Sequence, residues 1–182
     1  MRLLACTIAL AIALPAGSIA DKPKISRPMI AALEQSFENQ LVKLWPDDPA
    51  SIIGIPQGLY ISGYGVVFTS QVNLAPAPGI TPFHQTNSKE DVARTHQKKI
   101  ARLPRLKEVM QDMLLASAAS LDPVPPDEQI TIGISLYNWY WEDTTGLPAQ
   151  IVMHAPKRLL VQVKSGLADK SKLAAALSVQ EF

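Results

Sequence analysis

The residue types best suited to chemistry in this sequence are concentrated in two stretches. In "ARTHQKKIARLPRLK", Arg94, Lys98, Arg102 and Arg105 recur at steps of four, four and three, which places them on one side of a helix with Lys99 and Lys107 flanking. Such a strip suits an anionic surface: an acidic protein, an anionic cell-envelope polymer or a lipid head-group layer. The commoner origin of such a strip is the solvated face of an amphipathic helix. In "NWYWED", Trp139, Tyr140 and Trp141 could stack on apolar sugar faces while Glu142 or Asp143 binds hydroxyls. The same aromatics could instead cover the edge of a core at a turn. A further aromatic, Tyr64, is expected at the tip of a strand pair.

Other chemistries lack their signatures. The histidines are His84, His96 and His154, none close to another in sequence. Neither H-E-x-x-H nor C-x-x-C occurs, so no metal site is expected. "WPDDP" and "WEDTTG" each join two acids but lack the ligand count of a calcium loop, and read as turns. G-x-S-x-G is absent, although a serine, a histidine and an acid can meet in space without it. Paired-carboxylate glycosidase chemistry leaves no local signature at all. No cofactor is expected.

The stretch "GLYISGYGVVFTSQVNL" looks like a phosphate loop, but it lacks the G-x-x-x-x-G-K-[ST] and G-x-G-x-x-G patterns. Its glycines also lead into a strand, whereas a phosphate loop must open a helix whose N-terminus faces the anion. Gly63 and Gly65 are better read as turn or bulge residues between two strands. Whether Tyr60, Tyr64 and Ser70 face a pocket is left open.

The elements that position these residues follow from periodicity. Ser26 caps a helix to about Leu44, with Ile30, Leu33, Phe37, Leu41 and Leu44 inward and Glu34, Gln35, Glu38 and Asn39 outward. Trp45 is expected to lid the core. Ile52 to Leu74 alternates as two strands. "APAPGITPFHQTN" is a loop of about 13 residues. Ser88 then caps a second helical region, with Asp91 as a capping-box partner. Its predicted stripe is Val92, His96, Ile100 and Leu103, then Leu106, Val109 or Met110, Met113 and Leu114. Pro104 predicts a kink or two consecutive helices, with Leu103 pushed out of helical geometry. "QITIGISLY" and "PAQIVMHA" read as a strand pair, followed by a helix from Pro156 to Gly166, a short helix and an extended end. The expected fold is α+β: a single two-layer domain, with a mostly antiparallel sheet of four or five strands covered by helices.

The ends and composition set the context. Residues 1–20, "MRLLACTIALAIALPAGSIA", have one early positive charge, about 12 apolar residues and a small-residue end. This is the form of a signal peptide, too short for the ~20 apolar residues of a membrane span. Residues 21–25 are expected to form a mobile leader and 26–182 the domain. Cleavage would remove Cys6 and Arg2, leaving a cysteine-free chain with 16 basic against 16 acidic residues. Thiol catalysis and disulfides are then excluded, and a globally basic nucleic-acid binder is disfavoured. No membrane span is expected after signal removal. A bacterial, periplasmic or secreted setting is the simplest account.

"GLYISGYGVVFTSQVNL", a basic helix, "PDEQITIGI" and an "APK" helix ending in "VQEF" together resemble a group of exported bacterial proteins of unknown function. The resemblance covers most of the mature chain and implies the strand pair, helix, strand pair layout. It implies no activity. Three functions are compatible with the sequence: a non-catalytic interaction or structural module, a hydrolase or glycan-active enzyme with a site assembled across the fold, and a small-molecule carrier. The module leads, with an acidic protein or anionic envelope component as partner.

Overall fold

Ser26 opens the first helix, its hydroxyl accepting from Met29 N–H and Pro28 sitting in the first turn. The computed structural model describes residues 25–76 and 87–182. The expected signal peptide, most of the expected leader and His84 lie outside the described residues. Helix α1 (Arg27–Val42) buries Ile30, Leu33, Phe37 and Leu41, as the spacing predicts. A hairpin follows, β1 (Ser51–Ile61) and β2 (Gly65–Asn73), then helix α2 (Lys89–Ala118). Strands β3 (Gln129–Leu136) and β4 (Gln150–Pro156) pair antiparallel. Helices α3 (Lys157–Lys164) and α4 (Lys170–Ala176) and a short strand β5 (Ser178–Glu181) complete the domain.

The result is an α+β domain with a five-stranded, mostly antiparallel sheet in the order β1-β2-β3-β4-β5. Its one parallel pair is β2–β3, in register from Gly65↔Gln129 to Val72↔Leu136. Parallel neighbours need a crossover of a dozen or more residues, which α2 supplies. Val66, Phe68, Val72, Ile130, Ile132, Ile134 and Met153 project from one face into a core shared with the helices. Phe37 of α1 meets Phe68 edge-to-face at 4.7 Å.

Three local expectations are corrected. Glu34 is buried, because α1 crosses β1 there and its carboxylate takes the Gly58 N–H at 2.6 Å and the Arg27 guanidinium at 2.7 and 2.8 Å. Pro104 does not divide the helix. α2 runs unbroken through it with Leu103 helical and buried, since tertiary packing of its apolar stripe outweighs the missing donor. The inward stripe of the first half of α2 is Thr95, Lys99 and Arg102, not Val92, His96 and Ile100; Ile100 is exposed.

Gly63 and Gly65 hold the positive φ angles expected of the β1–β2 turn, 81° and 132°. A side chain at Gly65 would also strike the Gln129 carbonyl. Tyr64 is 40% exposed and lies back on the sheet, its hydroxyl 2.9 Å from Thr131 Oγ1. Tyr60 donates to Glu128 at 3.0 Å, so its hydroxyl is committed to the fold. Ser70 donates to Gly54 O at 2.8 Å and lines a shallow depression of about 330 Å³ between β1 and β2.

Candidate functional site

The chain leaves β2 and β3 at the same end of the sheet, because the two strands are parallel. The segment 137–149, which carries the aromatics, therefore starts beside the N-terminal half of α2. The capping box of Ser88 and Asp91, with Ser88 Oγ accepting from Asp91 N–H at 3.1 Å, sets the start of that helix.

Lys99 holds the aromatic segment. Its ammonium donates to Tyr137 O at 3.2 Å, to Asn138 Oδ1 at 2.8 Å and, in a short contact, to Glu142 Oε2. The side chains of Lys99 and Glu142 are only 2% and 3% exposed. Burial holds the Lys99 pKa below the ordinary lysine value, against the opposing pull of Glu142. All three ammonium protons have acceptors, which is what a buried lysine requires. Glu142 Oε1 is buried with no protein partner among the described residues.

One turn earlier, His96 Nδ1 lies 2.9 Å from the Asp143 carbonyl. A carbonyl only accepts, so Nδ1 carries the proton. Asp143 Oδ1 accepts from Thr145 N–H at 2.9 Å, and that backbone bond is the first cause of its lowered pKa. Tyr137 and Trp139 stack edge-to-face at 5.2 Å. Outside this frame Tyr140 is 92% exposed, Trp139 is half exposed and Trp141 is partly buried.

The opposite flank of α2 receives the other acidic turn. Arg102 donates to Asp48 O at 2.6 Å and Asp48 Oδ2 at 2.8 Å, and to Leu74 O in a short contact. Its guanidinium lies 4.5 Å from the centroid of the Trp45 ring. Lys98 pairs with the same Asp48, whose pKa falls first through that bond.

The basic strip is thus divided. Arg102 is 7% exposed and engaged on four sides, so it is not available to an external anion. Lys98 is partly covered at Asp48. Arg94 pairs with Asp91 and Arg105 with Glu108 at 2.9 Å, but both stay open to solvent. Lys107 reaches Glu181. The sugar-binding arrangement is also altered: Glu142 is withdrawn into the Lys99 pair, and Asp143 alone stays exposed.

Among the described residues, neither His96 nor His154 hydrogen-bonds a serine or a carboxylate; His154 Nδ1 lies 3.5 Å from Gln129 Oε1. No group of three or more potential metal ligands occurs among them, and no described helix is long and apolar enough to cross a membrane. A second depression, of about 380 Å³, lies between Asp122, Pro126 and α3 and is open to solvent. Family models, curated proteins and solved structures contain no match to this chain.

Proposed function

We propose that the protein is an exported interaction module that acts without catalysis and engages an anionic component of the cell envelope. Its contact surface is the aromatic segment Trp139–Tyr140–Trp141, with the exposed Arg94 and the partly covered Lys98 of α2 supplying charge. The observation that carries this reading is that Tyr140, 92% exposed, stands on a segment pinned by the buried Lys99–Glu142 pair. An exposed aromatic on a fixed frame loses little conformational freedom on binding, so more of its contact energy remains as affinity. The short n-region, apolar core and small-residue end of residues 1–20 support export.

The test is binding of the protein to isolated anionic envelope polysaccharide by calorimetry at several salt concentrations. Tyr140→Ala should weaken binding by about tenfold or more, the scale of an interfacial aromatic anchor. Arg94→Gln with Lys98→Gln should weaken it less and flatten its dependence on salt. Affinity unchanged by Tyr140→Ala would remove the aromatic segment from the function.

A further inference from the structure

All the helices whose contacts define the core lie on one side of the sheet. Alternation then fixes what the other side presents. On β2 and β3 the outward positions are odd-numbered, from Val67 to Ser135, and on β4 they are even-numbered, including Val152 and His154. Leu59 on β1 stands opposite Val67, and Gln180 on β5 opposite Val152.

Across these outward positions on all five strands there is no Lys, Arg, Asp or Glu. The whole sequence carries 33 such residues, so this charge-free face is a marked depletion. A sheet face kept in water is normally polar and charged. This one mixes Leu59, Ile61, Val67 and Val152 with His154, threonine, serine and glutamine; at its centre Thr131 and Gly133 are buried, with the Tyr64 hydroxyl on Thr131. Loss of charge, more than raised hydrophobicity, is the compositional mark of the centre of a protein–protein interface.

We propose that this open face is a homodimer surface, on which two copies of the chain pack sheet against sheet. Area permits it. Five strands ~4.8 Å apart and about seven residues long at ~3.3 Å each span roughly 550 Å² per copy. Two copies would bury about 1,100 Å², which clears the ~1,000 Å² of a specific interface. Charge favours the same occupant: a partner chosen by its charge finds nothing here to hold it, whereas a two-fold copy meets no like charge. The competing route to self-association, pairing along the edge of β1, is obstructed. Arg27 and Glu34 of α1 occupy the outward carbonyl and N–H of Gly58, at 3.4 and 2.6 Å, where a new strand would bond. Packing face to face, with the sheets ~10 Å apart, needs none of those groups.

Sedimentation velocity over a concentration series of the protein tests the proposal. The wild type should pass from one to two chain masses as concentration rises. Thr69→Lys, at an exposed outward position of β2, and Val152→Lys should each raise the dimer dissociation constant about tenfold or more. Gln35→Lys, on the solvent side of α1, should leave it unchanged. Circular dichroism reports whether each variant is folded, and Thr69→Lys alone decides the matter if Val152→Lys is not. A wild type that keeps the mass of one chain throughout overturns the proposal. So does a dimer that folded Thr69→Lys leaves intact.

Discussion

Lys99 and Glu142 show how much depends on one buried pair. Replacing Lys99 by Met would leave the Glu142 carboxylate enclosed without its cation, at a cost of about 3–5 kcal/mol. Urea unfolding should record that loss, and tryptophan emission should shift as Trp139 and Trp141 become wetter. The double variant Lys99→Met, Glu142→Leu should recover most of it, because well-packed apolar groups often replace a buried pair without loss. If the single variant unfolds at the wild-type urea midpoint, the pair is not what pins the segment. Glu34 gives a different signal. Burial alone would raise its pKa, but hydrogen bonds from Arg27 and the Gly58 N–H bring it below the ordinary value. The unfolded chain therefore binds more protons in that window. The stabilisation is complete above the ordinary carboxylate value of ~4.3 and is lost as pH falls through the lowered folded value. Urea midpoints measured against pH should fall across that acid window in the wild type and show a flatter limb in Glu34→Gln.

Among the elements, α2 is both connector and scaffold. It makes the β2–β3 crossover, and it receives an acidic turn on each flank. Pro104 is its weak point: exposed, inside the helix and without an N–H. Pro104→Ala should raise stability by about 1–3 kcal/mol in urea unfolding, since no packing is lost and a donor returns. An unchanged or lowered midpoint would mean that the proline's local geometry is required. The strands, the Ser26 and Ser88 caps and the Gly63–Gly65 turn were legible in the sequence because each rests on local chemistry. The inward cations of α2 were not. A 3.6-residue stripe is read from apolar residues, and Lys99 and Arg102 count as outward on that scale. The signal that could have found them is complementary composition: two turns, "WPDDP" and "WEDTTG", each pairing tryptophan with acids, and one basic helix to receive them.

At the scale of the molecule, part of the charge is paired inside the fold. Asp48 and Glu142, distant in sequence from α2, neutralise Lys98, Lys99 and Arg102. The sequence therefore displayed the basic strip without showing which part of it the fold would consume. Strand alternation gave two strand pairs but not their order. The long helix between them is the clue to a parallel neighbour, since a hairpin connection cannot join parallel strands. The open face was hidden for a related reason, because only a known register sums outward positions over five strands.

The clamp of α1 on Gly58 has a consequence in time. A methyl group at Gly58 would collide with both Phe68 and Ile30, so helix and hairpin fit each other there with no spare space. Until they meet, the regular half of the outer rim of β1, Gln57 to Ile61, is a template on which a stray strand could grow. α1 precedes β1 in the chain, so synthesis from the N-terminus delivers the guard before the edge it guards. A circular permutant that carries that helix at the C-terminus, on a linker long enough to cross from the β5 edge to the β1 edge, would reverse the order and leave the nascent hairpin unguarded.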